Sequence, residues 1–169
     1  MSVDAEALID EILALDLLTL RDRVDGMLVP LDPVGHRARL VVSIARSEVI
    51  AVRRAGELCA YFKCWPMGEG RWFVAGLAIH PAHRTPTVTA ELLDGVDGFT
   101  RRAGVVEYVS HVYRDNDASM RLHRRLGFRV TREKPEGVEF RLGAAELLAT
   151  PLLQSRQARA RRPGAESLD

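Results

Sequence analysis

The sequence predicts a mixed α/β (α+β) sheet domain with helices packed against the sheet. Three observations carry this prediction. Apolar residues recur at helical spacing before residue 47, and from Glu48 the period shortens to that of strands. Three strand-like segments then follow one another, divided by turn residues. After them the pattern reads helix, strand, helix, strand, strand, an order that builds a mixed sheet.

Residues 5–27 read as a helix, with Leu8, Ile12, Leu15, Leu18 and Val24 near helical spacing. Pro30 and Pro33 break it. Residues 37–46 suit either a buried strand or a helix, and we take them as helix. Strands are expected at 49–54 and 57–65, joined by Ala55-Gly56. Pro66-Met-Gly-Glu-Gly70 is a hairpin loop before a third strand at 72–80. Thr85 and Pro86 suit the N-cap and first turn of a helix that runs to about Arg102 and stops at Gly104. A strand at 105–112, a helix at 117–126 and strands near 129–132 and 138–142 complete the core, with Pro135-Glu-Gly137 as the last turn. Residues 144–162 suit a further helix interrupted by Pro151. We expect one domain over 1–147, with a helical part at 1–47 and the core at 48–142. Residues 148–169 are expected to be a flexible tail.

A chain of 169 residues is long enough for one real core. Its 47% hydrophobic and 28% charged residues are ordinary for a globular protein. A net charge of +1 points to neither nucleic acid nor membrane. No apolar run reaches the roughly 18 residues of a membrane helix. The start of the chain is acidic and lacks a signal peptide's pattern, so a cytoplasmic location is expected. Cys59 and Cys64 lie five apart in a strand, so they are expected on opposite faces, unbridged and reduced. No Cys/His cluster has zinc spacing, and no metal is expected.

The most specific segment is Asn116 to Phe128. Asn116 suits an N-cap, and Ala118, Leu122 and Leu126 make an apolar face. Gly127 suits a left-handed helix end, with Phe128 packing back. A strand, this capped helix, Leu126-Gly127-Phe128 and a further strand together resemble the second half of the GNAT (N-acetyltransferase) superfamily. The resemblance covers roughly residues 48–142, and the family's first strand is not evident before it.

The resemblance implies a GNAT-like acyl-CoA N-acyltransferase fold. It implies acetyl transfer from acetyl-CoA to an amine of a small molecule or peptide. In the family the third strand listed above bulges beside the pantetheine arm. Gly76 fits that bulge, and Leu77, Ala78 and Ile79 would line the arm. The family's phosphate loop corresponds to Arg84-Thr85-Pro86-Thr87-Val88-Thr89, where Arg84 matches and both glycines are threonine. Threonines restrict backbone approach to phosphate, and Pro86 removes a donor. Asn116 would contact pantetheine. His123 stands where the family often has a Tyr that protonates the leaving thiolate, and His111 where some members have a Glu base. Both imidazoles retain acid–base capacity near neutral pH.

Two alternatives stay open. The lost glycines and the arginines at 121, 124 and 125 suit a donor carried on an acyl carrier protein. A non-catalytic binding or scaffold protein is the other. The stripe of Leu8, Ile12, Leu15 and Leu18 would then join a partner helix or a second protomer in a homodimer, unless it packs on its own sheet.

Overall fold

From Glu48 the chain forms strands, as its period requires. The computed structural model describes residues 3–24 and 27–149. It begins with helix α1 (Val3–Thr19), a small hairpin of β1 (Asp22–Val24) and β2 (Met27–Val29), and helix α2 (Pro33–Ile44). Then follow β3 (Glu48–Arg54), β4 (Glu57–Gly68), β5 (Arg71–Ile79), α3 (Pro86–Arg102) and β6 (Glu107–Tyr113). The described chain closes with α4 (Asp117–Arg125), β7 (Arg129–Glu133), β8 (Gly137–Gly143) and α5 (Ala144–Leu148). The expected tail, and the helix expected beyond 149, lie outside the described residues.

The first helix stops earlier than its spacing suggested. Leu18 and Val24 are six residues apart, which puts them about 120° apart around a helix. The chain between them leaves the helix and enters the hairpin, which stands apart from the main sheet. The ambiguous segment is helical because its start is well capped. Asp32 accepts from the N–H groups of Val34 and Gly35, and Pro33 occupies the first helical position.

The main sheet has the order β3-β4-β5-β6-β8-β7. Every neighbouring pair is antiparallel except β5 with β6. On one face α3 lays Val88, Leu92, Val96 and Phe99 against Phe62, Tyr108 and Leu142. Burying each such side chain contributes about 1.5–3 kcal/mol. Met120 of α4 and Phe128 beyond it pack on the same face, against Val112, Val138 and Phe140. On the opposite face Ile9, Ile12 and Leu15 of α1 and Leu40 of α2 cover Leu58, Tyr61 and Ala78. The apolar stripe of α1 therefore packs on its own sheet through Ile9 rather than Leu18, which is exposed.

Both cysteines are free, as expected, but they share one core cluster instead of facing opposite ways. The register of β3 against β4 shifts at Val52/Arg53 and makes Cys59 the extra residue of a bulge. A bulge breaks the two-residue alternation, which spacing alone assumes.

A buried polar network ties both N-terminal helices to the sheet. Asp16 is 1% exposed and accepts from the Tyr61 hydroxyl at 2.6 Å. His36 Nε2 lies 2.8 Å from the other carboxylate oxygen of Asp16. Burial, then the charge of Asp16, raise the Tyr61 pKa well above its usual value, so the phenol stays a donor. Lys63 donates to Ser43 Oγ at 3.0 Å, and its burial lowers its pKa. Tyr61→Phe is expected to leave the Asp16 carboxylate short of a donor. The loss should be about 1–3 kcal/mol, read as a lower urea midpoint at unchanged slope.

Candidate active site

Strands β5 and β6 run together only at their starts. Arg71 pairs with Glu107, Trp72 with Tyr108 and Phe73 with Val109. Beyond that β5 continues to Ile79 on β4, and β6 to Tyr113 on β8. A slot opens between them. Its cause lies in β5, where Cys64 pairs with Val74 but Lys63 pairs with Gly76, leaving Ala75 as an unpaired bulge. Gly76 itself serves close packing: a Cβ there would sit 3.0 Å from Tyr61 Oη.

The ladder decides which backbone groups face the slot. His80 N–H donates to Cys59 O, and antiparallel pairs alternate between bonded and outward-facing. Opposite Tyr61, Ala78 is therefore bonded within the ladder. Leu77 and Ile79 turn their N–H and C=O groups toward the slot. Arg84 Nε donates back to Ile79 O at 3.4 Å, closing the end of β5.

The expected phosphate loop is a capped helix start. Thr85 Oγ1 accepts from Val88 N–H at 3.3 Å, and Thr85 O accepts from Thr89 N–H. Pro86 has no N–H. Among the described residues the Thr87 N–H has no partner, and the Val88 side chain lies in the core. The slot has room for the pantetheine end of coenzyme A, and a diphosphate at this helix start would meet one free donor and two threonine side chains where the family pattern has glycine.

Helix α4 is held at both ends. Asn116 Oδ1 accepts from Ser119 N–H at 3.0 Å. Gly127, at φ 90°, ends the helix with Phe128 N–H bonded to His123 O and Gly127 N–H to Arg124 O. The helix presents Met120, Leu122, His123 and Leu126 inward, whereas Ala118 is exposed.

His123 is fixed through both ring nitrogens. Nδ1 lies 2.8 Å from Ser119 O, and Nε2 lies 2.9 Å from Ser110 Oγ. A carbonyl oxygen only accepts, so the network assigns the proton to Nδ1, and Nε2 accepts from Ser110. The ring sits between Phe128 and Phe140. Burial lowers its pKa, against the opposing effect of the Ser119 carbonyl. Burial thus favours the neutral imidazole, in which Nε2 is an acceptor. Ser110 is 4% exposed and gave no sequence signal. Its role depends on a partner 13 residues away.

His111 follows Ser110 and so projects from the opposite face of the sheet. It stands edge-on to Phe73, and its Nε2 is 3.4 Å from Glu139 Oε2. His111 and Glu139 are directly paired across β6 and β8, a register the sequence does not reveal. Burial raises the Glu139 pKa, but hydrogen bonds from Arg141, Thr131 and His111 outweigh it and hold the carboxylate ionised below its usual range. Both residues line a cavity of 280 Å³ with Tyr113, Lys134, Glu136 and Gly137. A Cβ on Gly137 would meet Val112 O at 2.7 Å, so glycine alone allows this close turn. His111 and His123 thus stand on either face of the sheet beside one slot.

The profile of the acetyltransferase (GNAT) family matches residues 27–128. The chain belongs to the GNAT family. The match begins earlier than the sequence resemblance, at β2, and takes in α2. Over 63 residues the chain is 40% identical to the L-methionine sulfoximine/L-methionine sulfone acetyltransferase of Salmonella typhimurium strain LT2, spanning 37% of each protein. The GNAT fold is shared with aminoglycoside 6′-acetyltransferase type Ii, at a TM-score of 0.64 and 12% identity, over 85% of this chain and 94% of that one. It is also shared with the PaiA N-acetyltransferase of Thermoplasma acidophilum in complex with coenzyme A, at 0.55 and 13%, over 66% and 71%. Among the described residues no helix is long and apolar enough to cross a membrane.

The lowered pKa of His123 has a testable consequence. A histidine whose folded pKa is depressed supports the fold above its unfolded value near 6.5, and that support is lost as pH falls below it. The melting temperature of the wild-type protein should therefore fall more steeply from pH 7 to pH 5 than that of His123→Gln. Parallel declines in the two proteins would contradict the assignment.

Proposed function

We propose that this chain transfers an acetyl group from acetyl-CoA to an amine of a small molecule or peptide. The observation that carries this is the parting of β5 from β6 after Phe73 and Val109. The backbone N–H groups of Leu77 and Ile79 face the slot where the thioester oxygen would gather negative charge. Pantetheine lies along those residues, and Arg84, Thr85, Thr87 and Thr89 meet the outer part of the cofactor. Asn116 caps α4 at the same end of the slot.

The amine enters through the cavity of 280 Å³ beside His111. That volume suits a small ligand or a single chain end. An arriving ammonium must first lose a proton, and His111 accepts it. Glu139, opposite, stabilises the imidazolium that results. His111→Ala should lower kcat/KM by about 10²–10⁴-fold, with calorimetric binding of acetyl-CoA unchanged.

One observation favours a second donor. Thr85 already occupies the N–H of Val88, so the helix start offers little to a diphosphate. A thioester on an acyl carrier protein brings pantetheine without the adenosine part, and Arg121, Arg124 and Arg125 suit an acidic carrier. Calorimetry with acetyl-CoA, acetyl-pantetheine and acetylated carrier protein separates the donors. Binding of acetyl-CoA supports the first reading. Turnover with loaded carrier alone replaces it with the second, and no binding of any thioester removes both.

A further inference from the structure

His111 has unlike neighbours on its two sides. On one side its ring meets Phe73 edge-on. On the other lies the cavity of 280 Å³, whose charged lining residues are Lys134, Glu136 and Glu139. Glu139 is already occupied, by Arg141, Thr131 and His111. The Lys134 ammonium is not. Arg114 takes the neighbouring Glu133 and bonds the Lys134 carbonyl, and among the described residues no carboxylate pairs with Lys134 Nζ.

The ladder puts Lys134 on the face of His111. Lys134 and Gly137 exchange both backbone hydrogen bonds, and Gly137 stands opposite Tyr113. Residues directly opposite share a face, and so do residues two apart on a strand. Lys134, Tyr113, His111 and Glu139 therefore rise from one face. Lys134 stands two strands across and two residues along from His111, roughly 12 Å at the backbone. Their side chains narrow that span to one that a short molecule with two functional groups bridges. A lysine near an edge strand can serve solubility alone. Arg132 fits that description: it shares the face, opposite Glu139, but does not line the cavity. Lys134 differs in forming part of the wall that the amine has to pass.

We propose that the acceptor is a free amino acid, with Lys134 holding its carboxylate while its amine stands at His111. The proposal rests on the acyltransferase reading above and narrows its acceptor. The ammonium of Lys134 makes a charge-assisted hydrogen bond to the carboxylate. Phe73 closes the other side of His111, so the polar end of the acceptor lies toward β7. Glu136, on the same wall, repels a second anionic group, so neutral side chains are preferred to those of aspartate and glutamate. The carboxylate takes no part in the transfer and leaves unchanged in the N-acetyl product.

The test compares the twenty standard L-amino acids with their methyl esters and with the amines left by removing the carboxylate. The amine of an ester is less basic than that of the acid, and the amine without a carboxylate is more basic. A preference for the acid over both is therefore not a matter of basicity. Binding is read by calorimetry without any thioester, and transfer by acetyl-CoA turnover. At least one neutral amino acid should bind about tenfold more tightly than its ester and its amine. Lys134→Gln should abolish that preference, Lys134→Arg should restore it, and Arg132→Gln should keep it. Esters or plain amines bound as well as the acids overturn the proposal. So does a preference that survives in Lys134→Gln, or one lost equally in Arg132→Gln, which would mark a diffuse field. No amino acid bound at millimolar concentration overturns it as well. Binding that depends on Lys134 without transfer from any thioester strikes the acyltransferase reading and leaves the carboxylate site standing.

Discussion

Two halves of one sheet are each fully paired, and they part where they meet. On one side β5 stays with β4 through Ile79; on the other, β6 stays with β8 through Tyr113. The bulge at Ala75 turns β5 aside, and the outward-facing groups of Leu77 and Ile79 are left without a strand partner. Backbone donors and acceptors in a half-buried setting require partners. An extended amide chain such as pantetheine would supply them at the spacing of a strand. The geometry of the site follows from this one interruption, because it places the end of β6 beside open space.

The alternation of a strand then divides the chemistry. Ser110 and His111 are neighbours in sequence and face opposite sides of the sheet. On the α4 side the surroundings are aromatic and buried, and burial lowers the pKa of His123. On the other side His111 is half exposed beside a carboxylate held ionised by its own hydrogen bonds. One face thus suits a neutral base next to a hydroxyl, and the other suits a group that exchanges protons with solvent.

Much of the fold was legible from local signals. Gly127 and Phe128 mark a helix end because a left-handed residue closes it this way, and the structure shows Gly127 N–H bonded to Arg124 O and Phe128 N–H to His123 O. Thr85 and Pro86 announced a capped helix in the same manner. What escaped depends on register. Cys59 and Cys64 share a face only because a bulge intervenes. Ala78 is turned from the slot by the same ladder that exposes its neighbours. Glu139 and Ser110 join the site through partners 28 and 13 residues away, and no spacing rule reaches that far. The early end of α1 was readable in principle, since Leu18 and Val24 do not share a helical face.

The Tyr61 hydroxyl has two neighbours that belong to different parts of the chain. It bonds Asp16 of α1, and it lies against Gly76, next to the bulge. Asp16 falls before the segment that the family profile recognises. The N-terminal helix is therefore a keystone for the opening on the far side of the strand: its carboxylate sets where the tyrosine ring stands, and the ring sets how near β5 can come. Divergence in this leading helix would be felt as a change in aperture, with no residue of the opening itself altered.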